Sequence, residues 1–217
     1  MRYRPALDTL IAALRGNPHV DVLRAELGPA RPPAQVRAIA DEVQQRHALE
    51  LPAALLDLYV EMDGFTLVWE PKPSVRVEGR AWSIPPCFNQ LRPLDSLRFG
   101  DRHDEFRWTS PDDDDELEAR AALHLLVDHD QEDQGTFLVS IAGTTHLYYV
   151  HDQGEDVDPL RVDFAEYFDR FIALRGFFGW QDHLVERRYP GERDADLYAR
   201  WMPVLFPSAA AGGVAST

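Results

Sequence analysis

Residues Leu51–Glu70 read LPAALLDLYVEMDGFTLVWE, and their hydrophobic period changes midway. Leu55, Tyr59 and Met62 recur at spacings of four and three, with Leu51 and Leu58 beside them, which is one apolar face of an α-helix. Pro52 suits the first helical position, where its missing N–H has no intrahelical partner and its fixed φ is already helical. Asp63-Gly64 ends the pattern, because a glycine just past the last periodic residue accepts the left-handed conformation that closes a helix. Phe65–Trp69 then has the β-branched and aromatic content of a strand. The stretch predicts helix, tight stop, strand, and poses the question of what requires so abrupt a junction.

Working outward, two helices precede this unit. Leu7, Leu10, Ile11 and Leu14 give Pro5–Arg15 a buried stripe, and Val36, Ile39 and Val43 do the same for Pro33–His47, with Gly16-Asn17-Pro18 and Gly28-Pro29 as punctuation. After Trp69, strand-like pieces are expected at Ser74–Glu78 and around Trp82. An acidic linker, Asp101–Glu118, leads to Leu123–Asp128, whose apolar content on both alternating faces suits a central strand. Phe137, Val139 and Ile141 alternate along one segment, Leu147 and Tyr149 along the next, and a short turn with Gly143 joins them as an antiparallel hairpin. Asp163 and Glu166 form a capping-box pattern ahead of Phe164, Phe168, Phe171 and Ile172, one face of a closing aromatic helix. Phe177–Arg187 and Arg193–Trp201 read as two further helices, and residues 207–217 as a disordered tail. The fold class expected is α+β: a single domain over residues 1–206, with N-terminal helices on a mainly antiparallel sheet, a core at 51–175 and a helical extension at 176–206. Leu55, Tyr59 and Met62 should share one core with Phe137, Val139, Phe164, Phe168 and Phe171.

The 217 residues carry a net charge of −15, unevenly placed. Asp101–Asp163 holds 18 acidic residues against four arginines, a balance of −14; the remainder holds 19 acidic and 18 basic residues and is almost neutral. A local acidic field of this kind argues against nucleic acid as a direct partner and favours a basic protein. The single cysteine, Cys87, rules out an internal disulfide and a cysteine-based zinc site. No stretch approaches the length of a membrane span and no cleavable leader is evident, so a soluble, cytoplasmic chain is expected.

Motifs for catalysis and metal binding fail on their details. Asp128-His-Asp130-Gln-Glu132-Asp133-Gln-Gly135 invites a calcium-loop reading, but the sixth and twelfth positions are Asp133 and Val139 where that loop needs glycine and glutamate. His124, His129, His146 and His151 form no zinc signature. There is no G-x-S-x-G elbow, no P-loop, and one lysine, Lys72. These readings predict a non-catalytic chain without metal or cofactor. The run Asp112, Asp113, Asp114 and Asp115 reads either as a solvated loop or as a ligand for a basic partner. Trp108, in a polar linker, is a candidate interface anchor.

The order of N-terminal helices, the Leu51-Pro52 helix with its Asp63-Gly64 stop, the CFNQLRPLDSL segment, the final strand pair and Phe164/Phe168 resembles the SUKH superfamily over roughly Leu51–Leu174. That superfamily usually has asparagine where this chain has Asp63, and the acidic insertion and the residues after Gly176 lie outside its shared pattern. The resemblance implies a binding module: an immunity-type protein that neutralises a cognate toxin domain, or a regulatory scaffold in cell-wall or stress physiology. An unrecognised hydrolase stands third. On the first reading the partner-binding surface comprises Trp108, Asp112–Asp115, Asp128, Asp130, Glu132 and Asp133, together with Asp152, Glu155 and Asp156 from an expected Asp152–Asp158 loop. A basic nuclease domain is one candidate for the toxin.

Overall fold

The computed structural model describes residues 1–83, 85–96, 125–131, 134–141, 143–151, 156–185 and 194–207. In chain order they form α1 (Tyr3–Arg15), β1 (Val20–Leu27), α2 (Pro33–His47), α3 (Ala53–Glu61), β2 (Phe65–Pro71), β3 (Cys87–Leu91), a 3-10 turn at Leu94–Ser96, β4 (Leu125–Gln131), β5 (Gln134–Ile141), β6 (Thr144–His151), β7 (Asp156–Leu160), α4 (Phe164–Leu174), a 3-10 turn at Trp180–Leu184 and α5 (Asp194–Leu205). The seven strands make one sheet in the order β1-β2-β3-β4-β5-β6-β7, every neighbour antiparallel. This is the α+β architecture expected from the sequence. No helix among the described residues is long and apolar enough to cross a membrane.

Strand alternation decides which residues meet the helices. Phe65, Leu67 and Trp69 of β2 pair with Leu91, Asn89 and Cys87 of β3, and all six are buried on one face. Leu138 and Thr136 pair with Leu147 and Tyr149 on that same face. Onto it pack Leu7, Leu10, Ile11 and Leu14 of α1, Leu55, Leu58 and Tyr59 of α3, and Phe164, Phe168 and Phe171 of α4 in one continuous apolar cluster. Tyr3 meets Phe168 edge to face at 5.0 Å, and Phe65 stacks on Phe171 at 5.3 Å. The expected core is corrected in one respect. Phe137 and Val139 are buried but stand outside this cluster, because they alternate with Leu138 and pair with Tyr148 and His146 on the opposite face.

The Asp63-Gly64 junction has a different purpose from closing a helix. α3 ends when Met62 turns extended (φ −160°, ψ 137°), and Pro52 is the N-cap residue, one position before the first helical one. Gly64 (φ +77°) instead lets two backbones approach: a Cβ there would collide with the Leu91 carbonyl oxygen and the Arg92 backbone. Opposite it, a Cβ on Gly28 would strike the Asp63 carbonyl. The Gly28 N–H donates to the Gly64 carbonyl at 2.9 Å and the Asp63 N–H to the Pro29 carbonyl at 2.8 Å, so the junction prolongs the β1–β2 pairing beyond the strand ends.

Other expectations are corrected by geometry. Ser74–Glu78 and the Trp82 region are not strands; a two-residue turn bridges Val77 and Arg80 there. β1 and β7 are strands the sequence reading lacked, and Cys87–Leu91, read as an approach segment, is β3. The first expected C-terminal helix is the short Trp180–Leu184 turn, whereas α5 runs past Trp201 to Leu205 with Pro203 in its last turn. The acidic linker and the tail from 208 onward lie outside the described residues.

Candidate functional site

Three arrangements of polar groups stand out, and two of them hold the fold. Glu61, the last residue of α3, sits where the helix dipole disfavours a carboxylate. It is buried and turned to the start of α1, whose own N-cap residue supplies no capping side chain, and accepts the Arg2 N–H at 2.6 Å and the Arg4 N–H at 3.0 Å. Desolvation alone would raise the Glu61 pKa, but the two backbone N–H groups and the nearby terminal amine bring it below the usual carboxylate value.

The second arrangement centres on Asp63. Its Oδ2 meets Arg31 Nη2 at 2.5 Å, its Oδ1 accepts the Leu94 N–H at 2.8 Å, and Arg31 Nη2 also reaches Asp95 Oδ2 at 2.8 Å. Arg31 and Asp63 are each 11% exposed, and the hydrogen bond from Arg31 to Asp63 raises the Arg31 pKa still further. The Tyr59 hydroxyl donates to the Arg92 carbonyl at 2.8 Å beneath this pair, and burial pushes its pKa up. One carboxylate thus ties the end of α3 to the segments at 29–31 and 92–95.

The third arrangement lies at the opposite end of the sheet, where β1 starts and β2 ends. In a meander the β2–β3, β4–β5 and β6–β7 connections share one end. Gln131 pairs with Gln134 and His151 with Asp156 there, beside Pro71 and Cys87 of β2 and β3. Of the residues singled out from sequence, Asp130 lies near the end of β4 and Asp156 opens β7 at this end, while Asp128 lies further back in β4. Asp128 stands at the register position opposite Leu91 and Thr136. Trp108, Asp112–Asp115, Glu132, Asp133, Asp152 and Glu155 lie outside the described residues. The expected Asp152–Asp158 loop is corrected in its second half: Asp158 is in β7, opposite Tyr149, and is 2% exposed.

Sequence reading missed a cleft at this same end. A cavity of about 220 Å³ lies between residues 77–83 and α5, lined by Val77, Glu78, Arg80, Trp82, Leu197 and Trp201 among others. Trp82 meets Trp201 edge to face at 4.9 Å and Phe177 at 5.5 Å. The Trp82 indole N–H is enclosed without a hydrogen-bond partner among the described residues. By contrast, the space between β2, β3 and α4, lined by Phe65, Asn89, Leu91, Phe168 and Phe171, is about 20 Å³, room for one water molecule. Asn89 beside it is fully engaged, its amide donating to the Gly176 carbonyl at 2.8 Å and accepting the Trp180 indole N–H at 3.1 Å.

Among the described residues no three His, Cys, Asp or Glu side chains converge to hold a metal ion. Comparison with family models, with curated proteins and with solved structures finds no match to this chain.

Proposed function

We propose that this chain is an immunity-type protein of the SUKH kind, which binds a cognate toxin domain in the cytoplasm and neutralises it through an acidic surface. The observation that carries the reading is the charge distribution: −14 between Asp101 and Asp163 in a chain whose remainder is almost neutral. The meander supports it, since the connections that hold Glu132, Asp133, Asp152 and Glu155 join strands at one end of the sheet. An acidic surface recruits a basic partner by long-range attraction and then covers its active site or substrate groove. If that partner is a nuclease, its groove is basic, and carboxylates there take the place of phosphates.

Replacing Asp112, Asp113, Asp114 and Asp115 with serine tests this. Stopped-flow association with the cognate toxin domain should slow at low ionic strength. The difference from wild type should vanish toward 1 M salt, where the Debye length is about 3 Å. Thermal unfolding should change little. An unchanged association rate at low salt would remove Asp112–Asp115 from the binding surface.

A further inference from the structure

The cleft beside α5 belongs to a different chemistry from the acidic connections. Glu78 and Arg80, opposite charges on one turn, both line it, and neither side chain has a hydrogen bond or ion pair to another described residue. The turn itself is well fixed: the Val77 N–H donates to the Arg80 carbonyl at 3.0 Å and the Arg80 N–H to the Val77 carbonyl at 2.8 Å. Both central residues have positive φ, +52° at Glu78 and +77° at Gly79. Such a turn prefers asparagine or glycine at its first central position, yet it holds glutamate there against a conformational cost. Local preference is thus overridden at a residue that contributes a carboxylate to the cavity. Across from the turn, α5 lines the cleft with the apolar side chains of Trp201 and Leu197 and with Arg200, and Trp82 stands at right angles to Trp201.

We propose that this cleft binds a free α-amino acid with an apolar side chain. The Arg80 guanidinium, a planar fork suited to carboxylates, takes the ligand's α-carboxylate; the Glu78 carboxylate takes its ammonium group; and the side chain lies against Trp82, Trp201 and Leu197. The volume is below the roughly 300 Å³ at which pockets for drug-sized molecules begin, which suits a ligand of amino-acid size. Nothing in this cleft depends on the toxin reading.

L-phenylalanine, 3-phenylpropionate and phenethylamine separate the two ionic interactions. Titrated against the full chain by calorimetry and ligand-observed NMR, L-phenylalanine should bind more tightly than either single-charge analogue, by about threefold to fivefold for each exposed ion pair the analogue cannot form. Arg80→Gln should weaken L-phenylalanine and 3-phenylpropionate while sparing phenethylamine, and Glu78→Gln should weaken L-phenylalanine and phenethylamine while sparing 3-phenylpropionate. Both side chains are exposed, so thermal melts of the variants should match wild type. Equal affinity for all three probes, no saturable binding of L-phenylalanine up to about 10 mM, or variants that bind as wild type would overturn the proposal.

Discussion

Asp63 is the residue whose replacement tests the fold argument most sharply, because two substitutions there separate its two interactions. Asp63→Asn keeps an oxygen to accept the Leu94 N–H but removes the charge that faces Arg31. Arg31 retains Asp95 at 2.8 Å, so the loss should be that of one charge-assisted hydrogen bond, about 1.5–3 kcal/mol. Asp63→Ala removes both interactions and leaves the Leu94 N–H without its acceptor. It should cost about 3–5 kcal/mol, the range for deleting one partner of a buried pair, and fall toward the lower end because Asp95 still neutralises the guanidinium. Against a domain stability of about 5–15 kcal/mol, either change is easily measured. Urea unfolding followed by tryptophan fluorescence should show the midpoint falling in the order wild type, Asn, Ala, with the slope unchanged. Because both groups are only 11% exposed, 0.5 M salt, chosen as about 3 to 5 times physiological ionic strength, should barely alter the ranking. An alanine variant that loses less than about 1 kcal/mol, the value of an ordinary surface pair, would refute the claim that this carboxylate ties the three segments together.

Three further outcomes follow from the geometry. Gly64→Ala should cost far more than Gly79→Ala: both residues have positive φ, which alone is worth about 1–2 kcal/mol, but only at Gly64 does the added Cβ meet backbone, and denaturation midpoints of the pair should differ accordingly. Glu61→Gln should lower stability at neutral pH by about 1.5–3 kcal/mol through the charged hydrogen bonds to Arg2 and Arg4, read from thermal melts. Since the folded pKa of Glu61 lies below the ordinary 4.5, its stabilisation is complete above that value and is lost as pH falls through the folded one, so wild type and Glu61→Gln should converge in acid.

What could be read from sequence was set by how strongly each element's surroundings fix its pattern. α2 was legible to the residue, and the Asp163 cap was legible from its spacing: the Asp163 carboxylate accepts the Glu166 N–H at 2.8 Å. The β5–β6 hairpin was also clear, since both strands alternate around a glycine turn. Besides the interior β3, the strands that escaped are the sheet's two edges. β1 is covered on one side only, carries the exposed Leu23 at a bulge and mixes Arg24 and Glu26 with its apolar residues, so neither period dominates. β7 contains Pro159, which an edge strand tolerates and a central one does not. Phe137 and Val139 were misplaced for another reason: Gly135–Ser140 is buried throughout, and alternation cannot tell which face meets the helices when both faces are covered. The cleft was invisible because Trp82 and Trp201 meet only through tertiary packing, with no periodicity linking them.

The central proposal is that this chain disarms a toxin by binding it, and the most direct measurement is co-expression with the cognate toxin domain. Cells that carry both genes should grow at the rate of cells carrying neither, and the two proteins should co-purify as a complex whose association slows with rising salt. Growth arrest undiminished by this chain, with no complex at low ionic strength, would contradict that claim.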